Sequence, residues 1–365
     1  MYKLPQKLKD FTPYIPLTGD YPIRLDANES FIELPTEKIL QSVINVEEKG
    51  GSGELKLNRY PDPYATETIN AFVELFKETG VKHRHVTAGN GSDELLGLIA
   101  AGLLTKGDKV LTFAYDFSMY GFYSKLHELN VIEMQKEADF SITPEKVIAF
   151  IKASGVRCLF FSNPCNPTSL GLEKWKVLDI IAECPDTLMV LDEAYMDFWT
   201  DELGTERHSL LDKIDEYKNL IVLRTCSKSV ALAGIRLGFA VANQEITNAL
   251  RMVKSPFNVN SITQSIGTAI LSDKSGYKKG IEVLKTNTAW LFEELQNLCL
   301  FECVYEPKAN FVFCKTPNAT MIYEYLLEGG IAIRNFGEYL RICVGSNDEM
   351  DSLIRRLGLF SAKGK

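Results

Sequence analysis

Residues 223–238 read LRTCSKSVALAGIRLG, in which an apolar run (220–223) stops abruptly at Arg224, Thr225, Cys226, Ser227 and Lys228. A lysine therefore stands where a buried strand ends, and the small residues Ser229, Ala231, Ala233 and Gly234 follow it. Open α/β sheets bind ligands at the carboxyl ends of their strands, and small residues there leave room for a group of cofactor size. A solvated surface lysine is the plain alternative, since most lysines are exposed. The rest of the chain decides between the two.

Two more strand-like runs end the same way. RCLFF (157–161) is followed by SNPCNPTS, and TLMVL (187–191) by DEAY, so Asn166, Asp192 and Lys228 are expected along one edge of one sheet. Singly, NPxNPT is a turn and DEAY a helix start with an acidic first turn. Together they describe a site. A desolvated lysine amine can form a Schiff base with an aldehyde such as pyridoxal phosphate. That cofactor needs an acid at its ring nitrogen, amides and cations at its phosphate, and an apolar or aromatic cover. Asp192 meets the first need, while Asn166 and Tyr195 can hydrogen-bond the phenolic oxygen.

The phosphate has two candidate cradles. VTAGNGSDELLGLI (86–99) sets Gly89 and Gly91 between a strand and a helix whose first turn is Ser92, Asp93 and Glu94, leaving amides free for an anion. Ser227 and Arg236 add a hydroxyl and a guanidinium. The dinucleotide fingerprint GxGxxG fails, because Glu94 occupies its third glycine position. Phe117, in YDFSMYGFY, is the candidate aromatic cover, and Arg334 and Arg341, seven apart across an expected hairpin, form a pair suited to an anionic substrate.

Short apolar runs at 85–88, 109–113, 131–134, 156–161, 188–191, 220–223 and 239–241 alternate mostly with helical stretches such as DELLGLIAAGLL and EKVIAFIKAS. The expected fold is α/β, with a large domain (36–255) built on a mostly parallel seven-stranded sheet sandwiched by helices. A smaller α+β domain (256–365) follows, opening with a long helix near 275–298. The first 35 residues carry five prolines and no helical period, and predict an N-terminal arm; a helix is expected over 36–48.

A net charge of −8 over 365 residues argues against a general nucleic-acid binder, and 45% hydrophobic residues suit a folded core. The eight cysteines lack CxxC spacing and read as reduced core thiols; the four histidines show no ligand spacing, so no metal is expected. The N-terminal sequence has no apolar leader and no run reaches the length of a membrane span, which points to the cytoplasm.

The segments TPY (12–14), LDANES (25–30), RYPDPYA (59–65), GNGSDE (89–94), NPCNPT (163–168), DEAY (192–195), RTCSKSVALAGIRLGF (224–239) and YLRICVG (339–345) stand in one order along nearly the whole chain. They resemble those of fold-type I pyridoxal-phosphate aminotransferases, and within them the histidinol-phosphate aminotransferases. The resemblance implies that Lys228 binds the cofactor covalently and shuttles the proton between the substrate Cα and the cofactor C4′. It implies that Asp192 protonates the ring nitrogen and that Asn166 and Tyr195 hold the phenolic oxygen. Gly91, Ser92, Asp93, Ser227 and Arg236 then surround the phosphate, and Phe117 stacks on the ring. Tyr60 reaches the phosphate of a partner subunit, so a homodimer is implied. Arg341 is the substrate anion clamp, with Arg334, Tyr14 and Asn28 beside it. Two positions depart from the family pattern: Phe117 where a tyrosine is usual, and Ser169 where a glycine is usual.

The activity implied is transamination of L-histidinol phosphate with 2-oxoglutarate, in histidine biosynthesis, by a ping-pong route. A threonine-phosphate decarboxylase-like lyase and an aromatic or broad-range amino acid aminotransferase remain alternatives, because orientation by a few side chains decides which bond to Cα breaks. A cofactor-binding regulator without turnover is the reading from another class. The retained Lys228 and Asp192 weigh against it.

Overall fold

Cys158–Ser162 reads CLFFS and is buried along its whole length, as expected of a strand covered on both faces. The structure, a computed structural model, describes residues 2–13, 15–34, 37, 39–41, 56–200 and 208–363. Tyr14 and most of the helix expected over 36–48 lie outside the described residues. In chain order the elements begin with β1 (Ile23–Arg24), α1 (Thr66–Leu75), β2 (Val86–Gly89), α2 (Gly91–Gly102), β3 (Lys109–Phe113), α3 (Met119–Leu126) and β4 (Asn130–Met134). They continue with α4 (Pro144–Ser154), β5 (Cys158–Ser162), α5 (Lys174–Glu183), β6 (Leu188–Asp192), β7 (Leu220–Thr225), β8 (Gly238–Ala242), α6 (Gln244–Val253) and α7 (Ser261–Leu271). The last part comprises α8 (Lys274–Asn297), β9 (Cys303–Tyr305), β10 (Phe311–Lys315), α9 (Ala319–Glu328), β11 (Ile331–Ala332), β12 (Arg334–Asn335), β13 (Tyr339–Cys343) and α10 (Asn347–Lys363).

Seven strands form one sheet in the order β2-β8-β7-β6-β5-β3-β4. All neighbours are parallel except at β8, which runs antiparallel to both β7 and β2. Period-two alternation gives the sheet two apolar faces: Leu159, Phe161, Leu191 and Val222 belong to one core, and Cys158, Phe160, Val190 and Ile221 to the other. The chain leaves β3 outward to β4 and then returns to β5 on the opposite side. That reversal opens a crevice at the carboxyl ends of the strands.

A four-stranded antiparallel sheet, β12-β13-β10-β9, carries a separate core with α8, α9 and α10. Here the chain departs from its expected division in two places. The N-terminal segment, expected as an arm, forms a short 3₁₀ helix (Gln6–Asp10), and β1 then pairs in parallel with β11. Leu25 is consequently part of the smaller core, because its amide donates to Ala332 and its carbonyl accepts from the Cys343 amide. At the other end, α7 lies beyond the expected boundary at 255 but packs on α1, with Thr68 Oγ1 3.0 Å from Thr268 Oγ1. Its apolar Ile266, Ile270 and Leu271 complete the larger core.

Cys299 and Cys303, expected with the other six cysteines to be core thiols, are exposed. Among the described residues no helix is long and apolar enough to cross a membrane. None of their His, Cys, Asp and Glu side chains form a group of three or more placed to hold a metal ion.

The last turn of β7 is anchored by charge. Arg224, 2% exposed, pairs with Glu193 at 3.1 Å and with Asp197, and its guanidinium lies 4.6 Å from the Phe76 ring. Asp197 also accepts from Ser229 and from the Tyr277 hydroxyl, the latter at 2.7 Å. Lys228 is thereby bracketed on both sides by one buried network. Arg224→Ala leaves two buried carboxylates without their cation and is expected to cost about 3–5 kcal/mol of stability. A urea titration measures it; a loss below about 1 kcal/mol would mean that the network is solvated.

Candidate active site

A cavity of about 400 Å³ opens at the carboxyl edge of the seven-stranded sheet. Lys228 stands on the turn after β7, a turn closed by the Ala231 amide on the Lys228 carbonyl and the Leu232 amide on the Cys226 carbonyl. Its Nζ donates to the carbonyls of Asn28 at 3.0 Å and Ala27 at 3.4 Å, 5.8 Å from the centre of the Tyr195 ring. Burial pulls its pKa from 10.5 down to about 8, against the Cys343 sulfur, which favours the charged form, and with help from the Arg341 guanidinium. The amine is therefore neutral in part near neutral pH.

Asp192 is the final residue of β6, and its place follows from the strand's own apolar run. Its carboxylate accepts from the Tyr120 hydroxyl at 3.0 Å and the Ala194 amide at 3.1 Å. Burial raises its pKa from 3.8 to about 7, although both hydrogen bonds act in the opposite direction. Neither of those donors is a cation. Tyr195, on the turn that follows, accepts from Asn28 Nδ2 at 2.8 Å, and burial lifts its phenol well above the ordinary range.

Asn166 sits in the loop between β5 and α5, where both Asn163–Pro164 and Asn166–Pro167 are cis. Its side-chain oxygen accepts from Arg341 Nη1 at 2.6 Å, and its amide donates to Ser162 Oγ at 3.1 Å. Arg341 comes from β13, 6% exposed, and also donates to the Asp26 carbonyl, while its Nε is buried without a hydrogen-bond partner among the described residues. Arg334 lies directly opposite it in the β12–β13 register, so two guanidiniums face one end of the cavity.

The opposite end is built for an anion. Gly91, with φ of +73°, begins α2, and a Cβ there would stand 2.5 Å from Arg236 Nη2. Gly238 admits the same approach, since its Cβ would meet the Ser92 amide nitrogen at 2.7 Å. Arg236 Nη1 donates to Ser227 Oγ at 3.2 Å, and its Nη2 pairs with Asp93 at 3.1 Å. Hydroxyls of Ser92 and Ser227, a guanidinium and a helix N-terminus thus converge.

Of the residues anticipated from sequence, Asn28, Ser92, Asp93, Phe117, Asn166, Asp192, Tyr195, Ser227, Lys228, Arg236, Arg334 and Arg341 all line this cavity. Gly91 stands behind it as described. Tyr60 does not line it: it is exposed and stacks on Phe257 with ring centroids 4.4 Å apart. Sequence reasoning missed Tyr120, Ser162 and the main chain of Asp26. Tyr120 had a signal: it stands in the same aromatic cluster three residues after Phe117, at the start of α3, and the two rings meet edge to face at 5.5 Å.

The sequence profile of the family described as aminotransferase class I and II matches residues 23–357. The histidinol-phosphate aminotransferase of Clostridium kluyveri is 39% identical over 360 residues, which cover 96% of this chain and 97% of that protein. The protein of the same name from Clostridium novyi is 39% identical over 94% of this chain and 92% of its own length. Among solved structures, the histidinol-phosphate aminotransferase of Sinorhizobium meliloti in complex with pyridoxal-5′-phosphate superposes with a TM-score of 0.85 at 21% identity, covering 100% of this chain and 99% of that one.

Proposed function

Because the chain belongs to the class I and II aminotransferases and is a pyridoxal-phosphate enzyme, we propose that it exchanges the amino group between L-histidinol phosphate and 2-oxoglutarate, in histidine biosynthesis. The residues present fit the cofactor. Asp192 is a buried acid lacking a cation among its hydrogen-bond donors, which suits a protonated ring nitrogen, and the glycine-lined end beside Arg236 has the donors a phosphate needs. When bound, pyridoxal phosphate supplies an aldehyde for an amine and an electron sink for the charge left at Cα.

The chain's own side chains do the rest. Lys228 binds the cofactor through Nζ and, once released, takes the proton from the substrate Cα and returns it on the far side of the exchange. Its pKa of about 8 keeps that amine able to do both near neutral pH. Asp192 holds the proton on the ring nitrogen. Asn166 and Tyr195 orient the phenolic oxygen, Phe117 covers the ring, and Gly91, Ser92, Asp93, Ser227 and Arg236 form the phosphate end. Arg341, with Arg334, Asn28 and Tyr14, receives the anionic group of the substrate. Tyr60, exposed and outside the lining of its own cavity, serves the phosphate end of a second protomer in a cytoplasmic homodimer.

The observation that carries this reading is the meeting of the Lys228 amine, the buried Asp192 at a strand end, Arg236 at one end and the pair Arg334 and Arg341 at the other in a single cavity. The test is the absorbance of the cofactor-loaded protein with histidinol phosphate and no oxo-acid. We expect the bound cofactor to pass from its aldehyde to its amine form and to revert on addition of 2-oxoglutarate. An unchanged spectrum, or carbon dioxide released from threonine phosphate instead, would overturn the substrate assignment.

A further inference from the structure

Ser169 is fully buried and holds a φ of +62°, a backbone conformation that strains any residue with a side chain. It lies in the same loop as Asn166, and its amide ties that loop to itself by donating to the Cys165 carbonyl at 2.8 Å. Its two oxygens point the other way. The Ser169 carbonyl accepts from the Lys308 amide at 2.8 Å, and the hydroxyl accepts from the Ala309 amide at 3.0 Å. One residue therefore grips two successive amides of the smaller unit, immediately before β10.

Strand β10 carries the reach of Arg341. Phe313 stands opposite Arg341 in the antiparallel register, and the guanidinium lies 5.5 Å from the Phe311 ring. Arg341 in turn donates to Asn166, which closes a ring of contacts from Asn166 through Ser169, Ala309 and β10 back to Asn166. The hydroxyl is the joint in this ring that depends on the side chain at 169. We propose that Ser169 is a positioning residue for the substrate, its hydroxyl fixing the placement of Arg341 over the cavity. This rests on the reading of Arg341 as the group that receives the substrate anion.

Ser169→Gly and Ser169→Ala separate positioning from stability. Both leave the buried Ala309 amide without its acceptor, but glycine relaxes at a positive φ and alanine does not. In the cofactor-loaded full-length enzyme, KM for histidinol phosphate is expected to rise about three- to tenfold in both variants, with kcat within about twofold of the parent. The melting temperatures should diverge, the alanine variant falling below the glycine variant. A KM that tracks the melting temperature, with the glycine variant kinetically unchanged, overturns the proposal. Arg341→Gln is measured alongside. If it raises KM and neither Ser169 variant does, the proposal fails while the reading of the function stands. If it leaves KM unchanged, the assignment of Arg341 fails and the proposal falls with it. A parent protein that turns over glutamate but not histidinol phosphate would refute the substrate alone, and the same comparison is then read from KM for glutamate.

Discussion

Lys228→Ala is expected to lower turnover about ten-thousandfold, the upper end of what a positioned acid–base group supplies. The structural reason is that, among the described residues, Lys228 is the one amine lining the cavity. Its Nζ is held by the Asn28 and Ala27 carbonyls, inside a turn fixed by the Arg224 network, and the other basic side chains lining the cavity are guanidiniums, not amines. The loss should come with a chemical signature. Borohydride reduction of the loaded parent protein should add the mass of the cofactor irreversibly to the peptide containing residue 228, and the variant should gain no such mass. Turnover retained within tenfold, or cofactor mass found on another lysine, would falsify the role assigned to Lys228.

Asp192→Asn should reduce turnover by about a hundred- to a thousandfold, in line with removal of one preorganised electrostatic partner. Its effect on the cofactor-free protein has the opposite sign. Burial raises the Asp192 pKa from 3.8 to about 7, so the folded state holds a proton that the unfolded state releases. The stability that this proton contributes is complete below pH 4 and is lost as the pH rises through about 7. Asparagine keeps the shape without the charge. Above pH 7 the cofactor-free variant is expected to be more stable than the parent by about 2–4 kcal/mol, and the two should converge near pH 4. Melting temperatures across that range decide it: a variant less stable than the parent at pH 8 would show that the carboxylate is already paired in the empty protein.

The strand-end residues were legible in the sequence for a simple physical reason. A strand buried on both faces is a near-continuous apolar run, so the polar residues at or after its end are visible as a break, and Asp192, the RTCSK segment with Lys228 and the loop of Asn166 all announce themselves this way. The glycine at 91 is of the same kind, since the close approach it allows leaves a mark in the sequence, whereas the matching role of Gly238 emerges only in the fold. What stayed hidden is what depends on distant partners. A two-residue strand such as β1 has no periodicity to read, and its pairing with β11 exists only once the fold brings them together. The serine at 169 was visible, but its hydrogen bond to an amide 140 positions away was not. Likewise α7 has an amphipathic pattern that does not say which core it will join, and its place on α1 is settled by packing.

The pairing of β1 with β11 and the contacts of Asn28 with Cys343, 315 positions apart, also set an order of events on the ribosome. The segment that closes over Lys228 is synthesised first, yet its docking partners are among the last to emerge. The seven-stranded sheet, complete by residue 242, can assemble while residues 23–28 still wait for theirs. A nascent or prematurely ended chain would thus hold a folded sheet and a reactive lysine without the carbonyls of Ala27 and Asn28 over it. Closure over the Lys228 amine therefore needs the chain as far as Cys343, whose sulfur holds Asn28 in place, and a chain that ends before it lacks that contact.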